Sequence, residues 1–137
     1  MIEQFTDVGH VVIDDERMRL VGTAPSVNGV YAFVFDGQVQ YIGAADRKIG
    51  GLHQRLCSCL RRARHISYSN RKDGLPGTTS ALRNAIRCHL EANETVNVWV
   101  VTIDKMPDRD VAGFKRRAIL ALCPPLNKAH ITPIVNF

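Results

Sequence analysis

Two β-rich segments joined by a tight turn restrict the fold more than any other feature of the sequence. They cover residues 30–35 and 38–43, with Asp36-Gly37 between them. An Asp-Gly pair flanked by β-branched and aromatic residues is the strongest short-range sequence signal for a β-hairpin. The chain therefore contains an antiparallel strand pair, against which the remaining elements must pack.

The length of the hairpin loop decides which faces its two tyrosines occupy. A two-residue loop of Asp36 and Gly37 places Tyr31 and Tyr41 on opposite faces of the strand pair. A three-residue loop that also includes Phe35, with Gly37 in the left-handed conformation of a G1 bulge, places Tyr31 directly opposite Tyr41. We predict the three-residue loop, and hence two tyrosines on one face.

Hydrophobic periodicity predicts three helices and one further strand after the hairpin. The first helix covers about residues 51–63, and the second begins after Thr78 or Thr79 as N-cap. The segment 97–103 is β-branched and apolar, which is typical of a central strand. The third helix begins at Asp108 as N-cap and ends before the prolines at 124 and 125.

The chain is expected to be one small domain preceded by an N-terminal extension. At 137 residues it is long enough to bury a core without disulfides or metals. Residues 1–26 are interpreted as an extension packed on the domain of residues 27–137, with a short edge strand at 10–14. No apolar stretch approaches the roughly 18 residues of a membrane span and no signal peptide is evident, so we expect a cytoplasmic protein. The four cysteines show no zinc-site spacing and are expected to be reduced thiols.

The positive charge of the chain is concentrated after residue 26. The formal net charge is +5, but residues 1–26 hold five of the 13 acids and two of the 18 lysines and arginines, giving −3 there and +8 in the remainder. The segment 47–72 contains cations and no acid. A solvated helix face is the ordinary explanation of such a run, but this density favours a polyanion, because binding to phosphates releases counterions. We predict DNA as the partner, bound through Arg47, Lys48, Arg61, Arg62, Arg64, Arg71 and Lys72.

Helical wheels direct two cations towards apolar faces. Arg55 falls about 40° from Cys59, at the edge of the buried stripe of the first helix. Lys115 falls about 40° from Val111 on the third helix, within an arc that also contains Ile119. A lysine at this position either snorkels along the edge of the core or lines a polar pocket built for a charged group.

Four short motifs, in this order, together resemble those of the GIY-YIG nuclease superfamily. The resemblance covers roughly residues 27–130 and includes the order hairpin, helix, helix, strand, helix. It implies an α+β fold, with a small, mostly antiparallel three-stranded sheet flanked by helices, and a DNA endonuclease that uses Mg²⁺. The motifs are Gly29-Val30-Tyr31, Tyr41-Ile42-Gly43, Arg55 and Pro124-Pro125-Leu126-Asn127.

The resemblance also implies a role for each matched residue. Tyr31 is expected near the attacking water, in general base chemistry, with Tyr41 beside it. Arg55 is expected to stabilise the phosphate of the transition state, since a desolvated guanidinium binds a phosphoryl oxygen more strongly than an exposed one. Asn127 is expected to hold the site together by side-chain hydrogen bonds.

One position departs from the family pattern. The family's metal-binding glutamate lies about nine residues before the proline of the last motif, and this spacing leads to Lys115. An ammonium repels Mg²⁺, but it can bind a phosphate oxygen directly. A glutamate and a bound Mg²⁺ together carry a charge of about +1, which is also the charge of the lysine ammonium. Asp46 is the best of several weak candidates for a substitute carboxylate. Metal-assisted cleavage is therefore expected to be impaired, whether the lysine arose naturally or was introduced.

Three functions are compatible with the sequence. The leading hypothesis is an impaired DNA endonuclease whose site comprises Tyr31, Tyr41, Arg55, Lys115 and Asn127, with Mg²⁺ or another divalent cation as cofactor if it is active and with branched or single-stranded DNA among its substrates. The alternative is a non-catalytic DNA- or RNA-binding domain on the same scaffold. A structural or protein-interaction module has only its generic size in its favour. No membrane partner is expected.

Overall fold

The computed structural model describes residues 2–46, 50–61 and 76–127, with residues 61 and 76–80 described by their backbone. Within these ranges no helix is long and apolar enough to cross a membrane. Short 3-10 turns cover Ile2–Gln4, Ile103–Lys105 and Pro125–Asn127. The main elements are, in chain order, β1 (Thr6–Asp14), β2 (Arg17–Gly22), β3 (Gly29–Phe35), β4 (Gln38–Ala45), α1 (Gly51–Arg61), α2 (Pro76–Glu91), β5 (Val96–Thr102) and α3 (Val111–Leu122).

All five strands form one antiparallel sheet in the order β2-β1-β5-β3-β4. The α+β class is confirmed, but the predicted three-stranded sheet is too small, because the N-terminal residues supply two more strands. The predicted short edge strand is also wrong: β1 spans nine residues and pairs with β2 on one side and β5 on the other. The apolar β5 occupies the centre of the sheet, as predicted. The edges are β2 and β4.

The β3–β4 hairpin has a different register from the predicted one. Its loop is the two-residue Asp36-Gly37 pair, both with positive φ, and Phe35 pairs with Gln38. The register then shifts between Phe33 and Val34, so that Gln40 is an extra residue on β4. Such a bulge rotates all later side chains of its strand to the other face.

The bulge explains why the two tyrosines lie on one face, as predicted, although the predicted register is wrong. Tyr31 lies opposite Gly43 rather than Tyr41, and Tyr41 lies opposite Phe33. The two tyrosines are therefore diagonal neighbours on one face, with ring centroids 6.5 Å apart. A two-residue loop without the bulge places them on opposite faces.

The sheet buries an apolar core on each face, and the helices are divided between them. Tyr31 and Phe33 belong to the first core, against which α1 packs Leu52 and Leu56. The second core lies on the opposite face and includes Ile42, against which α3 packs its inward residues Val111, Phe114 and Ala118. Edge strand β4 thus separates α1 from α3.

Two predicted helix starts are wrong by a few residues. The second helix begins at Pro76, ahead of Thr78 and Thr79, and proline is favoured at the first helical position because its missing N–H needs no partner there. The third helix begins at Val111, with Asp110 rather than Asp108 as N-cap. Asp110 Oδ1 accepts a hydrogen bond of 2.9 Å from the backbone N–H of Gly113.

We expect Asp110→Ala to lower the free energy of unfolding by about 1 kcal/mol, because the first turn of α3 loses its side-chain cap. Asp108→Ala is the matched control, since Asp108 is exposed and accepts a longer bond from the Asp110 N–H. Its effect should stay within about 0.5 kcal/mol. Urea denaturation of both variants decides which aspartate caps α3. A larger loss of unfolding free energy in Asp108→Ala than in Asp110→Ala would contradict Asp110 as the N-cap.

Candidate functional site

The tip of Tyr31 crosses edge strand β4 at Gly43. Tyr31 is buried, at 2% exposure, and pairs with Gly43 across the hairpin. A Cβ atom on Gly43 would overlap Cζ and Oη of Tyr31, so the phenol occupies the space that any other residue would fill with its own side chain. The glycine of the Tyr41-Ile42-Gly43 motif therefore gives the hydroxyl its path to the edge of the sheet.

Arg55 meets this hydroxyl from α1. Its guanidinium donates a hydrogen bond to Tyr31. The helical wheel predicted Arg55 at the edge of the buried stripe; as a whole residue it is exposed, although its charged end contacts a buried partner. The Tyr31 contact raises the pKa of Arg55, so the guanidinium stays charged.

Burial determines the protonation state of both tyrosines. Loss of hydration raises the pKa of the Tyr31 hydroxyl far above its usual range, with further contributions from Cys59 and Tyr41 that outweigh Arg55. Burial likewise raises the pKa of Tyr41. Because both hydroxyls remain protonated at neutral pH, Tyr31 in this state is a hydrogen-bonding group rather than a ready base.

Lys115 approaches the same strand from the other face of the sheet. It is half-buried on α3, on the inward arc that the wheel predicted. Desolvation lowers the pKa of its ammonium, Arg55 lowers it further, and Asp46 opposes both. Arg55 and Asp46 are thus near enough to act on the amine electrostatically, although α1 and α3 lie on opposite faces.

The charged groups at this edge do not fit a magnesium site. Mg²⁺ is held by carboxylate and other oxygen ligands. In the described part of the chain, Arg55 interacts with Tyr31, and Lys115 interacts with Arg55 and with the exposed carboxylate of Asp46. The pair of cations would repel the metal that the family resemblance implies.

Asn127 binds β4 from outside the sheet. Its Oδ1 accepts a 2.7 Å hydrogen bond from the backbone N–H of Ile42, and its Nδ2 donates a 3.0 Å bond to the Ile42 carbonyl. The side chain is fully buried. The amide therefore satisfies both backbone groups of an edge residue, as a neighbouring strand would.

Two further side chains, Cys59 and Arg83, are not among the predicted site residues. Cys59 interacts with both tyrosines and with Arg55, and burial raises the pKa of its thiol. Arg83 on α2 is 5% exposed, and its Nη1 donates a 3.4 Å hydrogen bond to the Cys59 carbonyl. The spacing of three residues between Arg83 and the buried Ile86 was the available signal for an inward arginine.

The predicted DNA-contacting cations lie outside the residues whose side chains are described. These are Arg47, Lys48, Arg61, Arg62, Arg64, Arg71 and Lys72, of which Arg61 is described by its backbone. Arg55 and Lys115 are the members of the predicted site that bring positive charge to the β4 edge.

A separate polar cluster lies at the turn end of the β3–β4 hairpin. His89 Nε2 is 3.1 Å from Asp36 Oδ2, and His89 Nδ1 is 3.0 Å from Glu94 Oε1. Phe35 stacks on the imidazole with ring centroids 4.6 Å apart. Within the described ranges this is the group whose atoms are spaced closely enough for a metal ion. Both ring nitrogens already have carboxylate partners, so the cluster is accounted for as a clamp between α2 and the hairpin turn.

Comparison with known proteins shows a likeness in fold. No protein-family model and no curated protein matches the sequence. Among solved structures, a mutant of bacteriophage T4 EndoII matches with a TM-score of 0.50 and 19% sequence identity, over 72% of this chain and 66% of the EndoII chain. The matched region spans slightly less than two thirds of EndoII. At this identity the match shows a shared fold.

We expect Gly43→Ala to lower the free energy of unfolding by about 1 to 3 kcal/mol, because the new methyl group displaces the buried Tyr31 ring. In a Tyr31→Ala background the same change should cost less than 1 kcal/mol, since the overlapping atoms are gone. Urea denaturation of the unchanged protein, the two single variants and the double variant gives the coupling free energy between positions 31 and 43. An equal cost of Gly43→Ala in both backgrounds would exclude the proposed contact.

Asn127→Ala is expected to cost about 2 to 4 kcal/mol, because two buried hydrogen bonds to Ile42 are lost together. Asn97→Ala is a matched control: its Nδ2 donates a 3.1 Å bond to Asp7 in an exposed position. That change should cost at most about 1 kcal/mol. Equal losses in thermal or urea unfolding would show that Asn127 does not secure the edge strand.

Proposed function

We propose that this chain is a GIY-YIG-type domain that binds the phosphodiester backbone of DNA at the β4 edge, and that its metal-assisted hydrolysis is impaired. The convergence of Arg55 and Lys115 on one edge from opposite faces of the sheet carries the proposal. Two cations beside a protonated phenol form a site for an anion with several oxygen atoms. The shared fold with EndoII supports a nuclease-like scaffold.

Each side chain then has a defined task. The Arg55 guanidinium, held by Tyr31, offers its remaining N–H groups to the phosphate oxygens. The Lys115 ammonium supplies positive charge where the family resemblance expects a metal. Asn127 fixes β4, and therefore the position of Gly43 beneath Tyr31. The tyrosines shape the site without supplying a base while they remain buried.

Impairment follows from the charge at position 115. A bound metal ion contributes several kcal/mol of stabilisation to the charge that develops during phosphodiester hydrolysis. A lysine attracts the substrate in its ground state but offers no metal ligand. Binding energy that is equal in the ground and transition states does not accelerate the chemical step.

The second candidate function is a non-catalytic DNA- or RNA-binding domain on the same scaffold. The lysine itself favours it, because an ammonium cannot ligate a metal ion and the carboxylate that interacts with it, Asp46, is exposed. In this case the site serves for recognition of the phosphate backbone.

A nicking assay separates the two functions. Supercoiled plasmid, branched DNA and single-stranded DNA are incubated with the unchanged protein, Lys115→Glu and Lys115→Gln, each with Mg²⁺ or with EDTA. We expect Lys115→Glu with Mg²⁺ to cut at least about 100-fold faster than the other two proteins, since a restored carboxylate can hold the metal. Lys115→Gln is the control, because it removes the cation without adding a ligand.

Three results would change the proposal. Cleavage by the unchanged protein at the rate of Lys115→Glu would contradict impairment. DNA binding by all three proteins without cleavage by Lys115→Glu would favour the non-catalytic domain. Failure of the unchanged protein to bind any of these DNAs would reject both functions.

A further inference from the structure

A cavity of about 160 Å³ lies between α1 and the edge strand β2. Its walls are aliphatic, and most of the side chains that form them are buried in the core. Arg19 also borders it, but its guanidinium pairs with Asp14 at 3.3 Å. An aliphatic cavity of about 150 Å³ stays dry and takes up one benzene ring, so this cavity has room for an apolar group of about six carbon atoms. The aliphatic wall residues are Met18, Leu20, Ala24, Leu56 and Leu60.

A thiol and an imidazole complete the lining of this cavity. Cys57 and His53 lie one turn apart on α1, and Cys57 Sγ is 3.9 Å from His53 Nε2. Cys57 is half-buried and His53 is exposed, so the pair lies where the cavity meets solvent. Arg55 lies about 200° from Cys57 around the helix and contacts Tyr31. The width of α1 therefore separates the thiol–imidazole pair from the candidate functional site.

This pair is suited to nucleophilic chemistry on a molecule with an apolar chain. An imidazole within hydrogen-bond distance can take the proton of a thiol, and the thiolate is the reactive form. The cavity adds selectivity, because it favours an electrophile whose apolar part fits between α1 and β2. An acyl thioester has both parts, a carbonyl carbon that a thiolate attacks and an alkyl chain. The exposed thiols of Cys88 and Cys123 do not line the cavity.

We propose that Cys57 is an acylation site, which accepts a chain of about six carbon atoms from an acyl thioester and holds it in the cavity between α1 and β2. Exchange of one thioester for another is nearly balanced in free energy, so burial of the chain decides its direction. The inference does not rest on the proposed function, because Arg55 and the cavity lie on different sides of α1.

The exchange balances with the groups present. The His53 imidazole takes the proton of the Cys57 thiol, and the thiolate sulfur attacks the carbonyl carbon of the donor. The bond from that carbon to the donor sulfur then breaks, and the sulfur leaves with the bonding electron pair. The protonated imidazole returns the proton to it. One thioester and one thiol give one thioester and one thiol, so the exchange consumes no oxidant, reductant or water.

A chain-length series tests the inference on the full, unchanged chain. Acetyl, butyryl, hexanoyl and decanoyl thioesters of N-acetylcysteamine are added separately, and acylation is followed by mass spectrometry. The tryptic peptide 56–61 contains both Cys57 and Cys59, so fragmentation assigns the modified sulfur. We expect the rate constant at Cys57 to rise about three- to fourfold for each added methylene group up to hexanoyl, and then to level off as longer chains extend into solvent. Cys88 should show no such rise.

Matched variants assign the cavity and the base. Leu20→Trp fills the cavity from β2 and should abolish the chain-length dependence at Cys57. Val21→Trp is its control, because the next side chain of the strand points to the other face and is 37% exposed. His53→Gln should slow acylation at least about 10-fold while the chain-length dependence remains, since the base is lost and the cavity is kept.

The outcomes decide the inference separately from the proposed function. Equal rates at Cys57 for acetyl and hexanoyl donors, or acylation of Cys88 alone, would overturn the inference. So would an unchanged chain-length dependence in Leu20→Trp whose folding circular dichroism verifies; if that variant does not fold, the series on the unchanged chain still decides. A dependence that appears with coenzyme A thioesters but not with the N-acetylcysteamine series would also overturn recognition through the acyl chain. An unaltered rate in His53→Gln would overturn the role given to His53.

Discussion

The close approach of the Tyr31 ring to the backbone of Gly43 is the constraint on which the candidate site depends. A buried phenol on an inner strand reaches the edge of a sheet only if the neighbouring strand leaves room for it, and glycine leaves that room. The approach also requires the Tyr31 and Gly43 positions to face the same side, which the bulge at Gln40 ensures. Arg55 then finds its hydrogen-bond partner at the edge rather than within the core.

Helices α1 and α3 pack on opposite faces of the sheet, and both lie near edge strand β4. Helix α1 covers one core and brings Arg55, whereas α3 covers the other and brings Lys115. An exposed strand edge carries unpaired backbone groups, and Asn127 satisfies those of Ile42 with its amide. Rigid placement of β4 is therefore a requirement for bringing the two cations together.

The charge at position 115 determines what this arrangement can do. With a carboxylate there, the edge would combine one anion, a metal and Arg55; with Lys115 it combines two cations. Compared with the metal site that the family resemblance implies, the total charge offered to a phosphate would be similar, with an amine in place of a Lewis acid.

The sequence predicted the features that a short segment determines by itself. It did not predict the features that depend on pairing between strands far apart in the chain. The inward position of Lys115 follows from helical periodicity alone, and the structure confirms it. The register of the hairpin could not be obtained, because a bulge at Gln40 depends on how β3 and β4 both fit the rest of the sheet.

The same distinction applies to the N-terminal residues and to Arg55. The pairing of β1 with β5 joins segments about ninety residues apart, for which no short-range pattern exists. The wheel placed Arg55 at the edge of a stripe, but its contact with Tyr31 depends on the absence of a side chain at Gly43.

The salt dependence of DNA binding tests the central claim most directly, because each phosphate contact contributes to it separately. The logarithm of the binding constant for duplex DNA is measured against the logarithm of salt concentration for the unchanged protein, Arg55→Gln and Lys115→Gln. If both cations bind phosphate at the β4 edge, each substitution reduces the magnitude of the slope by about 0.9. Slopes equal to that of the unchanged protein in both variants would contradict the account.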